Sequence, residues 1–118
     1  MALSADQFKQ IVASLKSDAP DKGSFEKRSA PRVGLRTKIT VYMDGDLTRG
    51  MDVWIRDLSA NGIGFVHGHP LEANREFLIK FPMRGNHALS VVYSVMHCKD
   101  LSKSLFFIGA RMDRINEE

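Results

Sequence analysis

Hydrophobic residues near the start of the chain recur at the spacing of one helix face. These residues are Leu3, Phe8, Ile11, Val12 and Leu15. Ser4 can cap the first turn, and Asp6 places a negative charge near the positive end of the helix dipole. We predict one short amphipathic helix that ends before Ala19-Pro20 and is followed by a flexible link. Its apolar face must be buried on the rest of the protein or on a partner.

From Lys38 onwards the hydrophobic pattern has a period of two, which is typical of strands with one buried face. Ile39, Val41 and Met43 alternate with more polar residues, and Asp44-Gly45-Asp46 provides a turn signal. The pattern predicts six strands without intervening helices, at 38–43, 51–56, 63–67, 75–81, 88–96 and 105–112. We therefore expect an all-β fold: a six-stranded antiparallel β-barrel with a short N-terminal helical arm. Residues 1–24 form the arm and its link, and residues 25–118 form the barrel domain.

Composition limits the classes of protein. With 118 residues, 43% of them hydrophobic and 26% charged, the chain is expected to be one soluble globular domain. No apolar run approaches the roughly 20 residues of a membrane span, and the first residues lack a secretory pattern, so we expect a cytoplasmic protein. The single cysteine, Cys98, excludes an internal disulfide and is most simply a small buried residue.

Positive charge is concentrated in one stretch. The net charge is +3, and five cations without an acidic residue lie in the segment Lys27, Arg28, Arg32, Arg36 and Lys38. Such a patch suits a compact dianion at least as well as a long polyanion.

Two short motifs carry the chemistry. The first is RxxxR from Arg28 to Arg32, and the second is DxSxxG from Asp57 to Gly62, which also contains Ser59. Guanidiniums donate in a fork that matches guanine O6 and N7 as well as phosphate oxygens. A carboxylate accepts from the N–H donors on the other edge of guanine, while a serine hydroxyl and a glycine backbone let a phosphate approach closely. The motifs therefore indicate a guanine nucleotide site.

The two motifs, in this order and at this separation, resemble those of the PilZ domain family, whose members are receptors for cyclic di-GMP. The resemblance covers roughly residues 25–118 and includes Ile108-Gly109-Ala110-Arg111, which looks like the last barrel strand of the family. It implies the same six-stranded barrel. It also implies a non-catalytic receptor of bacterial second-messenger signalling, in motility or biofilm regulation, with cyclic di-GMP as ligand and no other cofactor.

The resemblance also implies roles for individual residues. Arg28 and Arg32 should lie on the flexible loop that enters the first strand and should engage guanine edges and phosphates. Asp57 should accept from guanine N–H groups, Ser59 should bond a phosphate or base edge, and Gly62 should permit the turn. Lys27 is a further candidate for phosphate contact, at a position that bears on whether one nucleotide or a stacked pair is bound.

The expected mechanism is ordering of the basic loop by the ligand. Five cations repel one another in the free protein, and the dianion neutralises them and draws the loop onto the barrel. The helical arm moves with the loop and changes a surface offered to a protein effector in trans, which the sequence does not identify. After Met112 only six residues remain, so we expect at most one turn of any C-terminal helix.

Alternative functions have weaker support in the sequence. A PilZ-like barrel can act as a protein-interaction adaptor without nucleotide. A small RNA or single-stranded DNA binder is disfavoured because only Trp54 and Tyr42 are expected as exposed rings. No nucleophile lies beside a base and no Walker-type loop is present, so we do not expect an enzyme.

A metal site is also disfavoured. His67 and His69 could share one side of a strand and recruit His97 or Cys98, but the four residues have no recognised ligand spacing.

Overall fold

The computed structural model describes residues 2–15, 32–44, 46–83, 85, 87–102 and 104–117, without the side chains of residues 32, 33, 35, 36, 116 and 117. Lys27, Arg28 and the expected boundary at residues 24–25 lie outside this description. In chain order the elements are α1 (Ala5–Leu15), β1 (Arg32–Met43), β2 (Gly50–Ser59), β3 (Gly62–His67), β4 (Glu76–Met83), β5 (His87–Ser102) and β6 (Leu105–Glu117).

The six strands close into a barrel. Their order around it is β1-β2-β3-β6-β5-β4, every pair is antiparallel, and β1 closes the ring by pairing with β4 at Val41 and Ile79. Alternate residues of each strand fill the interior. Phe77 lies at its centre, with an edge contact to Phe65 at 5.4 Å between ring centroids and a stacked contact to Tyr93 at 5.5 Å. The predicted fold class is confirmed.

Helix α1 packs on the barrel and forms at the predicted place. Ser4 and Gln7 make a reciprocal cap: the Gln7 N–H donates to Ser4 Oγ at 3.1 Å, and the Ser4 N–H donates to Gln7 Oε1 at 2.9 Å. Ile11 is completely buried, and the helix contacts β4 and β1. Just before the helix, the N–H of Leu3 donates to the carbonyl oxygen of Ala60 at 2.7 Å. The apolar face is therefore buried on the protein itself.

Several expectations differ from the structure. Strand β1 begins at Arg32 rather than Lys38, and β6 continues to Glu117 rather than ending at Met112, so the residues described after Met112 are strand and not a helical turn. Strand β5 does not end at Met96 but continues to Ser102, and its pairing with β6 continues through Lys99 and Phe107. Residues 96–102 are exposed, so no hydrophobic alternation marks this part of the strand. Cys98 lies within it and is exposed rather than buried. Arg32, expected on a loop, is the first residue of β1.

Candidate functional site

A shallow groove lies on the outer face of the barrel where β2, β3, β6 and β5 adjoin. Its volume is about 360 Å³, and Asp57, Ser59 and Gly62 of the second motif line one part of it. The far side is formed by residues of β5 and β6 that include His97, Phe107 and Arg111. The motif therefore borders a cavity of the size of a small-molecule site.

A β-bulge turns Asp57 towards this groove. In β2, Val53 and Ile55 point inward, so unbroken alternation would point Asp57 inward as well. The register with β3 shifts between Ile55 and Asp57, leaving Arg56 as an extra residue. Asp57 then pairs with Gly64 on the outer face, and the next residue, Leu58, takes the buried position. The bulge re-aims the carboxylate and avoids burying its charge in the core.

A second bulge, in β5, turns His97 outward on the opposite side of the groove. Val95 is buried and pairs with Ala110, whereas His97 pairs with Gly109, so Met96 is the extra residue. His97 consequently lies in the same transverse row as Gly109, Gly64 and Asp57. Two bulges thus place a carboxylate and an imidazole at the two ends of one row.

Glycines form the floor of the groove, and aromatic rings lie over them. A Cβ on Gly64 would stand 2.7 Å from Cζ of Phe107 and 2.9 Å from Oδ1 of Asp57. A Cβ on Gly109 would collide with the ring of His97. The rings of His97 and Phe107 stack at 6.0 Å between centroids with 26° between their planes. Because Gly64 and Gly109 have no side chains, two flat rings can lie against the sheet, where a purine can stack on them.

The turn from Ser59 to Gly62 is held by internal hydrogen bonds. Ser59 Oγ donates to Oδ1 of Asn61 at 3.0 Å, and the N–H of Met112 donates to the backbone oxygen of Asn61 at 2.8 Å. Gly62 is not among the described residues with positive φ; instead, its Cβ would lie 3.0 Å from the carbonyl oxygen of Ala110. Gly62 thus allows close approach of β3 to β6 rather than a left-handed turn.

Two arginines lie in the next transverse row, which runs through Ser59 and Gly62 beside the row of Asp57. The Cα of Arg32 pairs with that of Ser59 across β1 and β2, so the beginning of β1 adjoins the second motif. Arg111 pairs with Gly62 across β3 and β6, and its Nε lies 3.4 Å from Oδ1 of Asp113. Asp113 also accepts a hydrogen bond from Ser94. Lys27 and Arg28 of the predicted site lie outside the described residues.

Sequence reasoning missed His97, Phe107 and Arg111 as groove residues. Their roles depend on which residues pair across β3, β5 and β6, and no short motif marks that register. For Asp57 a signal exists in the sequence, because the buried residues change from odd positions at Val53 and Ile55 to an even position at Leu58. Such a change of parity indicates a bulge.

The histidines of the suggested metal site do not form a ligand cluster. The rings of His67 and His69 lie 5.3 Å apart, and burial, followed by the charge of His69, lowers the pKa of His67. Within the described parts of the chain, no group of three or more His, Cys, Asp or Glu side chains is arranged to hold a metal ion.

One comparison with known proteins covers nearly the whole chain. The family model of the PilZ domain matches residues 26–118 and so includes all six strands and both motifs. Comparison with curated proteins gives no match. Among the described residues, no helix is long and apolar enough to cross a membrane.

Proposed function

The chain belongs to the PilZ domain family, a family of cyclic di-GMP receptors, and we propose that it is itself a non-catalytic cytoplasmic receptor that binds this nucleotide in the groove. The observation that carries the proposal is the pairing of Arg32 with Ser59 beside the outward-turned Asp57. It brings the end of the first motif to the second, so that one small molecule can reach both.

The proposed contacts follow from hydrogen-bonding chemistry. The Asp57 carboxylate accepts from the guanine N–H groups, and Ser59 bonds a phosphate or a base edge. Arg28 and Arg32 donate to guanine O6 and N7 or to phosphate oxygens, with Lys27 as a further phosphate contact.

The groove also supports base stacking and charge neutralisation. His97 and Phe107 offer ring faces on which a purine can stack, which contributes about 1–3 kcal/mol per base. Arg111 lies four residues after Phe107 on β6 and has a largely exposed side chain that can approach a phosphate. The walls therefore provide both a stacking platform and a cation for a dianionic purine dinucleotide.

Titration calorimetry of the intact protein with cyclic di-GMP tests the proposal. We expect saturable binding at micromolar nucleotide, with a stoichiometry that distinguishes one nucleotide from a stacked pair. A bidentate arginine contact to guanine contributes about 1–3 kcal/mol, so Arg32→Ala should weaken binding by about one to two decades. Asp57→Ala should have a comparable effect, because guanine donors then lose their acceptor.

Two substitutions outside the groove provide matched controls. Asp52 lies on the same strand as Asp57 but accepts a hydrogen bond from Thr40 at 2.8 Å, and Arg49 lies in the connection between β1 and β2. Asp52→Ala and Arg49→Ala should leave the affinity unchanged. Absence of heat and of saturation at micromolar cyclic di-GMP would refute the receptor function and favour an adaptor that acts without nucleotide.

We further propose that nucleotide binding is transmitted to the N-terminal arm and from there to a protein effector in trans. The contact that supports this is the hydrogen bond from Leu3 to Ala60, because Ala60 lies inside the second motif. A ligand that shifts this turn changes the geometry of the acceptor and so the docking of the arm. Amide exchange across residues 1–38 should change when cyclic di-GMP is added. Unchanged exchange there would contradict this mechanism while leaving binding itself intact.

A further inference from the structure

An apolar strip crosses the outer face of the sheet beside the groove. Trp54 pairs with Val66, and Val66 pairs with Phe107, so these side chains stand side by side on β2, β3 and β6, about 5 Å apart. Leu105 lies two residues before Phe107 on β6 and faces the same way. We call these four residues the apolar strip.

The strip is unusually exposed for large apolar side chains. Trp54 is 53% exposed and Leu105 is 44% exposed, while Val66 and Phe107 are half-buried. Single exposed hydrophobics are ordinary, but adjacent ones on one face mark interaction sites. Tryptophan is also the residue type most enriched among those that dominate the energy of protein interfaces.

Cations surround the strip. Nζ of Lys38 lies 5.4 Å from the centre of the Trp54 ring, and Lys99 pairs with Phe107 at the other end. Arg56 follows Trp54 by two residues and is exposed. Two acidic residues adjoin Trp54 on β2: Asp52 accepts a hydrogen bond from Thr40, and Asp57 belongs to the groove. Because a second copy of the chain would bring like charges together, this rim disfavours self-association and suits carboxylates.

We propose that the apolar strip is the docking surface for a separate protein whose contact segment presents apolar side chains flanked by carboxylates. The inference deepens the proposed function, on which it rests for the identification of a partner in trans, by stating what that partner looks like. Phe107 belongs both to the strip and to the groove wall, where it stacks with His97. A nucleotide in the groove therefore adjoins the docked partner.

The first test uses Trp54, the single tryptophan of the chain, as a fluorescent reporter in the intact protein. We expect an accessible ring that iodide quenches more strongly than caesium when each ion is compared with its quenching of free N-acetyltryptophanamide, because the cationic rim attracts anions. Substitution of Lys38 by glutamate should reverse this preference. An inaccessible Trp54 would overturn the proposal, since the strip would then be covered by the chain itself or by a second copy. Equal relative quenching by the two ions would show that the strip has no excess of positive charge around it, and would overturn the proposal of a carboxylate-bearing partner.

The second test uses two synthetic peptides with the same leucine- and phenylalanine-containing core, one flanked by glutamates and the other by lysines. We expect the acidic peptide to bind and to shift the Trp54 emission. Leu105→Ser should weaken this binding by about tenfold, because the partner loses the apolar contact that this side chain makes. Leu47→Ser is the matched control, because Leu47 is 52% exposed but lies in the connection between β1 and β2.

A different partner on the apolar strip would give a different result in these binding tests. Equal binding of the lysine-flanked peptide would overturn the proposal, as would preferential binding of a single-stranded oligonucleotide. A dimer in sedimentation that Leu105→Ser abolishes would assign the strip to a second copy instead.

The two proposals can fail separately. Leu105→Ser should retain calorimetric binding of cyclic di-GMP, and Asp57→Ala should weaken it by about one to two decades while still binding the acidic peptide.

Discussion

Replacing Gly64 by alanine tests whether the glycine floor shapes the nucleotide site. The new Cβ would lie 2.7 Å from Cζ of Phe107 and 2.9 Å from Oδ1 of Asp57. Non-bonded carbon atoms are most stable at about 3.5–4.0 Å, so the ring must retreat by about 1 Å. The carboxylate must also move, by roughly half an ångström or more, to reach an ordinary contact. One methyl group thus displaces two proposed contacts of the ligand.

The expected loss of affinity follows from those displacements. Hydrogen bonds to a charged group contribute about 1.5–3 kcal/mol, so a misplaced Asp57 alone should weaken binding by about 10- to 100-fold. Loss of stacking on Phe107 would add to this. The fold should survive, because the cost of overpacking, about 1–3 kcal/mol, is partly offset by about 0.5–1 kcal/mol from removing a strand glycine.

Calorimetry with cyclic di-GMP measures the effect, and Gly34→Ala is the control. Gly34 pairs with Asp57 from the other side, on β1, but among the described atoms its Cβ would meet only the carbonyl oxygen of Arg56, at 3.9 Å. Gly34→Ala should therefore bind like the unmodified protein. If Gly64→Ala binds the nucleotide as tightly as Gly34→Ala does, the ligand does not occupy the groove floor and the geometric argument is wrong.

Three further substitutions test the core and its titratable groups. Ile11→Ala should cost about 2–5 kcal/mol in urea unfolding, because Ile11 is fully buried, or else release α1 alone, which faster amide exchange confined to the helix would reveal. Tyr93→Phe should stabilise the protein by up to about 1 kcal/mol, because the buried hydroxyl has no partner among the described residues. Burial also raises the pKa of Tyr93, so the unmodified protein should lose stability above about pH 10, where only the unfolded state ionises, and Tyr93→Phe should lose less. Burial lowers the pKa of His67, so the unfolded state binds a proton more readily at this residue. The contribution of the neutral His67 imidazole to folding stability is therefore present above about pH 6.5 and is lost as the pH falls. His67→Gln should flatten the fall in stability between neutral and mildly acidic pH, and identical pH profiles would contradict this.

The parts of the fold that the sequence predicted are those where burial imposes a period. Val53 and Ile55 alternate with exposed residues in β2, and Ile11 lies on the predicted apolar face of α1. The N-cap predicted at Ser4 is local as well, and its hydroxyl accepts a hydrogen bond from the N–H of Gln7. In the strand and the helix one energetic term, the removal of apolar surface from water, selects the pattern directly, whereas the cap follows from the unpaired N–H groups of the first helical turn.

The extension of β5 could not be predicted in this way. Beyond Val95 the strand is stabilised by its pairing with β6, and the residues from Met96 to Ser102 are exposed. Hydrogen-bonded pairing places no demand on hydrophobicity, so the strand predicted from the hydrophobic pattern ends at Met96. The assignment of Cys98 to the core was wrong for the same reason.

The orientation of the candidate site residues depends on the phase of the strand alternation, that is, on which residues face outward, rather than on its period of two. Unbroken alternation from Val53 and Ile55 would place Asp57 on the core face together with them. A one-residue change of phase moves every later side chain to the other face, and the bulge at Arg56 produces this change at the second motif. The motif therefore identifies residues of the proposed site, and the bulge makes these residues face outward.

The same changes of phase explain why the groove and the apolar strip adjoin. Before the bulge in β2, the outward residue is Trp54, which belongs to the strip; after it, the outward residue is Asp57, which belongs to the groove. In β6, unbroken alternation places Phe107 in the strip row and Gly109 in the groove row. A partner on the strip and a nucleotide in the groove would thus contact consecutive outward positions of the same strands. Because such positions are within about 7 Å of each other, we expect a shift of the Phe107 ring to couple the two events.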